Sequence, residues 1–186
     1  MRRRLATGLA LLSLLFSLNV VLAPVASAHP YCGQVWGSTP ETRAGMSRGA
    51  VYDVRAGRHA CFDRLVLDVD VPLAGWSVRY VDQVKQDGSG RVVAVRGGAR
   101  LEVVARVGVR PGDSFFVSPG TLVDVAGYRT FRHVAWARSF EGVTTVGIGV
   151  RARLPFRAFV LPGPGAGSRL VVDVAHGCCA QGRPRC

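Results

Sequence analysis

The sequence predicts an all-β fold, an antiparallel β-sandwich or barrel of about eight strands, with an arm and a tail tied by disulfides. The pattern is clearest between Gly57 and Val71, where Leu65, Leu67 and Val69 alternate with a mixed set of residues and place one apolar face on a strand. Similar short apolar segments follow, separated by glycine and proline, and none has the period of a convincing amphipathic helix. We therefore interpret Gly57–Val71 as the strand that the others cover.

Residues 29–56 precede this strand and are rich in glycine, serine, threonine and proline, which predicts an arm that ends in a short strand near Val51–Val54. The further predicted strands, in chain order, are Trp76–Val81, Arg91–Val95, Ala99–Val107, His133–Phe140, Val143–Arg151, Phe156–Leu161 and Arg169–Val174. The last of these is almost continuously apolar, which is typical of a central strand.

Glycine and proline mark the connections between these strands. Asp87–Gly90 predicts a turn, because glycine tolerates positive φ and aspartate can bond its own backbone. Gly97–Gly98 predicts a hairpin connection between Arg91–Val95 and Ala99–Val107. Pro162–Gly167 predicts a loop.

Two further stretches are less regular. Residues 108–132 are interrupted by glycine and proline, so any helix there is limited to one or two turns around Thr121–Val125. Gly147 and Gly149 occupy alternate positions of one predicted strand, and such glycines weaken a strand unless something packs closely on that face.

Residues 1–28 have the composition of a secretory signal. Three arginines precede an apolar run from Leu5 to Leu22, and Ala26–Ala28 supplies the small residues of a cleavage site. The run is also roughly long enough to anchor the chain in a bilayer, but the small-residue ending and the absence of a basic flank after it favour cleavage. We therefore expect an exported protein that begins near His29, with membrane contact only through the uncleaved signal.

The chain is strongly basic, with a formal net charge of +12 that becomes +9 when residues 1–28, with three arginines and no acidic residue, are removed. Lys85 is the only lysine, so the charge is almost entirely arginine. This composition is typical of a genome that encodes arginine in place of lysine, and equally of a protein attracted to anionic polymers outside the cell. Nucleic acid is excluded as a partner, because the sequence has no basic helix and no aromatic RNA-binding strand motif.

Five cysteines in an exported chain predict disulfides. Cys32 and Cys61 are the isolated pair, and joining them would stabilise the fold by roughly 3–4 kcal/mol. Cys178, Cys179 and Cys186 crowd the C-terminus; one of the adjacent pair is expected to bond Cys186, and the remaining thiol would be free or bonded to another molecule.

Several charged and aromatic residues at predicted strand positions are candidate site residues. One interpretation is a set of structural ion pairs among Asp63, Arg64, Glu141, Arg169 and Asp173, each at the edge of an apolar strand. The other interpretation is a binding groove for a carboxylate-bearing ligand, formed by Arg64, Arg79, Arg157 and Arg169, with Trp76, Tyr80 and Trp136 as stacking surfaces for sugar. Alternation also places Trp76 and Tyr80 on the apolar face, where they would be core residues.

No cofactor or metal site is predicted, because the four histidines lack metal-ligand spacing and no C-x-x-C pair is present.

An ordered set of short motifs covers most of the chain after residue 56. These motifs are Gly57–x–His59–x–Cys61–Phe62–Asp63–Arg64, Val78–Arg79–Tyr80–Val81, Asp87–Gly88–Ser89–Gly90, Phe140–Glu141–Gly142, Gly147–Ile148–Gly149, Pro155–Phe156–Arg157 and Ser168–Arg169–Leu170–Val171–Val172–Asp173–Val174. Together they resemble the AMIN-like domain of exported actinobacterial proteins, over residues 57–175.

The resemblance implies a β-sandwich of two small sheets, related to the AMIN modules attached to cell-wall amidases and secretin pore proteins. Those modules are non-catalytic targeting domains that associate with peptidoglycan. The chain shows neither an amidase nor a pore domain, so the resemblance implies that its function comes from the module and its short arm and tail.

One motif suggests catalysis instead. Ala175–His176–Gly177–Cys178 is similar to the Ser/Thr–His–Gly–Cys nucleophile motif of L,D-transpeptidases, which cross-link peptidoglycan. A cysteine nucleophile needs a base and an oxyanion site. Alanine replaces the Ser/Thr here, and Cys179 and Ala180 replace the basic residue after the nucleophile, so a disulfide-bonded tail is the preferred interpretation.

These observations predict a domain order of signal peptide (1–28), arm (29–56), AMIN-like β-sandwich (57–175) and cysteine-rich tail (176–186). The predicted function is a secreted, non-catalytic module of the cell envelope that binds peptidoglycan or a wall-linked anionic polymer. The two alternatives are a peptidoglycan-modifying cysteine enzyme that uses Cys178 and His176, and a scaffold that joins another exported protein.

Overall fold

Two five-stranded sheets and a two-stranded ribbon form the part of the protein that the computed structural model describes, residues 36–110 and 120–177. The strands in chain order are β1 (Glu41–Arg43), β2 (Ala50–Arg58), β3 (Phe62–Val69), β4 (Trp76–Val81), β5 (Val84–Lys85), β6 (Val92–Val93), β7 (Ala99–Ala105), β8 (Gly108–Val109), β9 (Phe131–Phe140), β10 (Val143–Val150), β11 (Phe156–Pro162) and β12 (Ser168–Ala175). Neither range contains a helix, and residues 121–125 form only an isolated bridge and bends. The predicted all-β class is confirmed.

The two large sheets face each other as a sandwich. Sheet I has the strand order β1-β4-β7-β10-β9, and sheet II has the order β11-β12-β3-β2-β8. All neighbouring strands are antiparallel except β2 and β8, which are parallel. The third unit is the ribbon β5-β6, which lies against the outer face of sheet I.

The core lies between the two sheets. Leu65, Leu67 and Val69 on β3 are completely buried, in the same cluster as Leu101 of β7 and Ile148 of β10. Burial of each such side chain stabilises the folded state by about 1.5–3 kcal/mol. The predicted apolar face of the central strand is thus the inner face of sheet II.

The stretch that begins at Gly57 contains a strand end, a turn and a second strand. Gly57 and Arg58 end β2, and the backbone N–H of His59 donates to the carbonyl of Phe62 at 3.0 Å, where β3 begins. Because β2 and β3 are adjacent and antiparallel, the stretch includes the connection of a hairpin in sheet II.

Residues of the predicted arm contribute strands to both sheets. β1 pairs with β4 at one edge of sheet I, and β2 lies between β3 and β8 inside sheet II. Cys61 is disulfide-bonded. Its proposed partner Cys32 lies outside the described residues, as do Cys178, Cys179 and Cys186, so the pairing stays a prediction.

The predicted hairpin at Gly97–Gly98 is wrong. β6 pairs with β5, whereas β7 pairs with β4 and β10. A Cβ on Gly98 would lie 2.2 Å from the carbonyl oxygen of Arg151, and one on Gly149 would lie 1.8 Å from that of Arg96. These glycines allow two backbones to cross at close range, which is a different use of glycine from a tight turn.

The same crossing explains the alternate glycines of β10. A Cβ on Gly147 would lie 2.8 Å from Val95 and 3.1 Å from Val84, both of which are buried against the outer face of sheet I. Close packing on the glycine face, which such a strand requires, is therefore supplied by the ribbon and the segment after it.

We expect Gly149→Ala to destabilise the protein by about 3 kcal/mol, because the new methyl group must displace the Arg96 backbone. Gly57→Ala is the matched control. It also adds one methyl group to a strand, but its nearest neighbour is the His59 side chain at 3.6 Å, so its effect should be within about 0.5 kcal/mol. Chemical denaturation of both variants checks this, and equal midpoints would contradict the close crossing.

Candidate functional site

The outer face of sheet II carries an ion-pair cluster in one row of the sheet. Strand register aligns Arg157 of β11, Asp173 of β12 and Arg64 of β3. Asp173 is fully buried and accepts hydrogen bonds from Arg64 Nε and Nη2 at 2.6 and 2.9 Å, and from Arg157 Nε at 2.8 Å. Bidentate arginine–carboxylate contacts are among the strongest hydrogen bonds in proteins. The cluster therefore joins three neighbouring strands.

Aromatic rings surround the two arginines. The Arg157 guanidinium lies 4.6 Å from the ring centre of Trp36 and 5.1 Å from that of Phe159, and the Arg64 guanidinium lies 5.2 Å from Phe62. Cation–π contacts of this kind stabilise by about 0.5–1 kcal/mol at exposed sites and more when buried. We call these residues and Asp173 the arginine–aromatic face. Its two arginines are only 24 % and 32 % exposed, and their charge is directed to contacts inside the protein.

A buried carboxylate connects the two sheets. Asp63 of β3 is fully buried, and its Oδ2 accepts the backbone N–H groups of Thr130 and Phe131 at 2.6 and 3.0 Å. Its Oδ1 lies 2.9 Å from Nε2 of His176, and the Thr130 hydroxyl donates to the Ala175 carbonyl at 3.0 Å. This network ties β3 and the end of β12 in sheet II to the start of β9 in sheet I.

The contacts of His176 determine what its ring can do. Nε2 faces the Asp63 carboxylate and Nδ1 faces the carbonyl of Ala60 at 3.2 Å, so both partners are acceptors. Both ring nitrogens are therefore occupied by contacts within the fold. Cys178 lies outside the described residues. The position of His176 is that of a structural group and gives no support to the transpeptidase interpretation.

An open groove of about 1080 Å³ crosses the outer face of sheet I. Its floor includes outward-facing residues of β4 and β7, where Ser77 lies opposite Val104 and Arg79 lies opposite Glu102. One wall comes from β1 and the segment after it; the other comes from residues 85–88 and the β9–β10 turn. We call this feature the sheet I groove.

Charged side chains of both signs line the sheet I groove. The basic residues are Arg79, Lys85 and Arg106, and the acidic residues are Glu41, Asp87, Glu102 and Glu141. The lining is therefore close to neutral, although the whole chain carries +12.

Two contacts hold side chains in the floor and the wall. Arg79 donates from Nε and Nη2 to one oxygen of Glu102 at 2.9 and 2.7 Å. The Thr145 hydroxyl donates to Asp87 at 2.6 Å and fixes the turn at residues 87–90 to β10. Both hydrogen bonds go to Oε1 of Glu102, and its Oε2 accepts none from residues 36–110 and 120–177.

Glu41 has a structural role at the edge of the sheet I groove. Its carboxylate accepts the backbone N–H of Ala158 at 2.8 Å and so connects β1 of sheet I to β11 of sheet II. Burial raises the pKa of Glu41, and the hydrogen bond opposes that shift.

The β9–β10 connection presents an exposed ring beside an exposed carboxylate. Glu141 and Gly142 have φ values of 48° and 76°, as in a two-residue type I′ hairpin turn. Phe140 is 38 % exposed, and its ring would contact a Cβ on Gly88 at 3.1 Å. Met46, on the other wall of the groove, is 55 % exposed.

The four arginines predicted to line one groove do not lie together. Arg79 is on sheet I, whereas Arg64, Arg157 and Arg169 are on sheet II. Arg169 donates to the carbonyls of Gly163 and Pro162 at 3.0 and 2.8 Å and holds the loop before β12. The expectation of a single arginine groove is corrected, because strand pairing places β4 and the other three strands in opposite sheets.

Of the three aromatic residues predicted as stacking surfaces, Trp76 and Trp136 lie in the core and Tyr80 is partly buried against it. Trp76 and Trp136 are 8 % and 6 % exposed. The Tyr80 hydroxyl donates to the Leu154 carbonyl at 2.6 Å and accepts the Leu154 N–H at 2.8 Å, and its ring packs edge-on against Phe156. Their inward positions correct the expectation of sugar stacking and agree with the alternative placement on the apolar face.

The predicted ion-pair residues divide into two groups. Asp63, Arg64 and Asp173 form the contacts described above. Glu141 lies in an exposed turn and Arg169 binds backbone carbonyls, and neither takes part in an ion pair among residues 36–110 and 120–177.

Sequence reasoning missed most residues of the sheet I groove. Lys85, Asp87 and Phe140 lie 12 or more residues from β7 in the sequence and come near it only in the folded sheet. The turn motif at residues 87–90 was a usable signal, since its aspartate was available to bind a neighbouring strand.

His133 is a buried histidine outside these features. Its Nδ1 accepts the backbone N–H of Arg96 at 3.4 Å, which assigns the proton to Nε2, 3.1 Å from the Thr121 hydroxyl. Burial lowers the pKa of His133, and the positive charge of Arg96 lowers it further.

Neither a metal site nor a membrane-spanning helix is present among the residues that the structure describes. No group of three or more histidine, cysteine, aspartate or glutamate side chains in residues 36–110 and 120–177 could hold a metal ion. Across the same part of the chain, no helix is long and apolar enough to span a bilayer.

The fold is a small β-sandwich with an open groove on the outer face of sheet I. The family model of the AMIN-like domain matches residues 49–176, more than half of the chain, and the protein belongs to this family. The match begins eight residues before the resemblance noted above and includes the whole of β2, which is therefore part of the domain. Neither the curated proteins nor the solved structures contain a significant match.

We expect Asp173→Asn to destabilise the protein by roughly 3–5 kcal/mol, because it leaves two partly buried guanidinium groups without their carboxylate. Glu102→Gln is the control, since it breaks a pair whose arginine is 56 % exposed and should cost less than about 1 kcal/mol. Urea denaturation of both variants measures the difference. Similar losses would show that the buried cluster contributes no more than a surface pair.

We expect the protein to lose stability as the pH falls below about 6.5, in part through His133. The pKa of His133 is lower in the folded than in the unfolded state, so between these two pKa values the unfolded state binds more protons. The contribution to stability is therefore complete above the unfolded-state pKa and is lost as the pH falls through the folded-state pKa. Denaturation midpoints between pH 7.5 and 5 should decline less steeply in His133→Asn. An unchanged slope would contradict this role.

Proposed function

We propose that this protein is a secreted, non-catalytic binding module of the cell envelope that associates with peptidoglycan through the sheet I groove. Family membership supports the class of target. The site is chosen because charged side chains of the sheet I groove are exposed to solvent. The arginines on the outer face of sheet II are instead paired with the buried Asp173.

The two outer faces differ in how their charges are used. On sheet II, Arg64 and Arg157 share one buried carboxylate and are packed against aromatic rings. In the groove, Lys85 and Arg106 are exposed and Arg79 is 56 % exposed. Exposed groups can bind a ligand without breaking contacts of the fold, so the groove is the favoured site.

Export and net charge fit this function. Residues 1–28 would direct the chain across the membrane, and the mature chain would keep a charge of +9. Such a charge attracts anionic wall polymers over a distance of about 8–10 Å in salt, which raises encounter rates and leaves the specific contact to the groove.

A protein partner in the envelope is the second candidate. Met46 and Phe140 expose apolar surface at the groove, and exposed apolar side chains near charged ones are found at protein contacts as well as at ligand sites. Binding to wall material that has been stripped of protein separates the two candidates.

We expect the mature protein to sediment with purified, protein-free cell wall at physiological salt, and Lys85→Gln with Arg106→Gln to lower its apparent affinity by about threefold or more. Arg58→Gln with Arg129→Gln removes the same charge from exposed positions outside the groove and should have a smaller effect. Equal loss in both double variants would mean that net charge alone causes binding. Absence of binding at every salt concentration would exclude the proposed function.

A further inference from the structure

We infer that the sheet I groove binds the peptide part of the wall polymer, as a short peptide that carries both free carboxylates and a free amine. This inference rests on the proposed function and concerns the same site. It selects peptide over sugar, and a ligand of mixed charge over a purely anionic one.

The first argument is the charge of the groove. A site for an anionic polymer on a protein with a charge of +12 would be expected to collect basic side chains. Instead, three basic and four acidic side chains line the groove. Opposite charges across a contact provide specificity, and a lining with both signs is complementary to a ligand with both signs.

The second argument concerns the carboxylates of the groove that are not already used by contacts within the fold. Glu41 is bound to the Ala158 backbone, and Asp87 is bound to Thr145. Glu141 is exposed in its turn and forms no ion pair among the described residues. The contact of Glu102 with Arg79 uses only one of its two carboxylate oxygens. These carboxylate oxygens are suited to an amine.

Exposed cations provide the opposite half of the site. Lys85 and Arg106 are both exposed and line the groove, and neither forms an ion pair within residues 36–110 and 120–177. Arg79 is held by Glu102 through Nε and Nη2, which orients the guanidinium on the groove floor. A fixed arginine and two exposed cations can bind carboxylates.

The third argument is the kind of apolar surface. Sugar sites commonly present a flat exposed ring of tryptophan or tyrosine, but no tryptophan or tyrosine is among the described residues that line the groove. Sheet I has Trp76, Tyr80 and Trp136, and all three are turned to the core. Phe140 and Met46 instead offer exposed apolar surface that suits the methyl and methylene groups of a peptide.

Calorimetric titration of the mature protein tests the inference with four probes. The first is a synthetic peptide of alanine, γ-linked glutamate, lysine and alanine, with its side-chain amine and its carboxylates free. The second has an acetylated side-chain amine, and the third has amidated carboxylates. The fourth is glycan from which the peptides have been removed. We expect the first to bind most tightly and the glycan to show no groove-dependent binding.

Two groove variants connect each ligand charge to a side chain. Glu141→Gln keeps the shape of the turn residue and should weaken the free peptide about threefold to fivefold, while leaving the acetylated peptide unchanged. Arg106→Gln should weaken the free peptide similarly while leaving the amidated peptide unchanged. Arg58→Gln is the control and should leave all four titrations unchanged. Denaturation curves verify that each variant is folded.

The results separate this inference from the proposed function. The peptide inference would be overturned if the protein bound wall but no peptide, or if peptide binding did not depend on the amine and on Glu141. Either result would leave the proposed wall binding intact. Binding of the peptide-free glycan that is lost in the groove variants would assign the groove to sugar. Failure to bind whole wall would instead overturn the proposed function.

Discussion

The buried Asp63 carboxylate is the group on which the arrangement of the two sheets depends. It lies on the central strand of sheet II, accepts two backbone N–H groups at the start of β9 in sheet I, and pairs with His176 at the end of β12. A buried carboxylate that loses its hydrogen-bond donors is costly, because its desolvation is then left uncompensated. Hydrophobic burial favours association of two sheets in many orientations, whereas these directed contacts select one.

The ribbon determines where sheet I is open. Gly147 and Gly149 leave room for residues 84–96 to pack on the β10 side of the outer face, and the uncovered part of β4 and β7 becomes the floor of the groove. A side chain at either glycine would displace the ribbon and change the groove wall that carries Lys85 and Asp87. Backbone packing and the candidate site are therefore linked through two residues that are not among those lining the groove.

Arginine serves different purposes on the two faces. On sheet II, Arg64 and Arg157 satisfy one fully buried aspartate and contribute to the packing of three strands. On sheet I, Arg79 is paired at the surface, and exposed cations and carboxylates share the groove. A high arginine content consequently says little about where a ligand binds until the internal partners of each arginine are known.

The sequence by itself determined the fold class, the long strand segments and the family resemblance, but it missed the short strands β1, β5 and β8. Period-2 alternation is a local property, so Leu65 to Val69 could be assigned to a buried strand without any knowledge of its neighbours. Only the tertiary structure decided which side chains meet. Arg79 and Arg64 occur on similar strands but belong to opposite sheets, and Gly97–Gly98 permits a backbone crossing instead of a hairpin. Pairing between distant strands depends on the combined burial and hydrogen bonding of the whole chain, which short-range patterns do not contain.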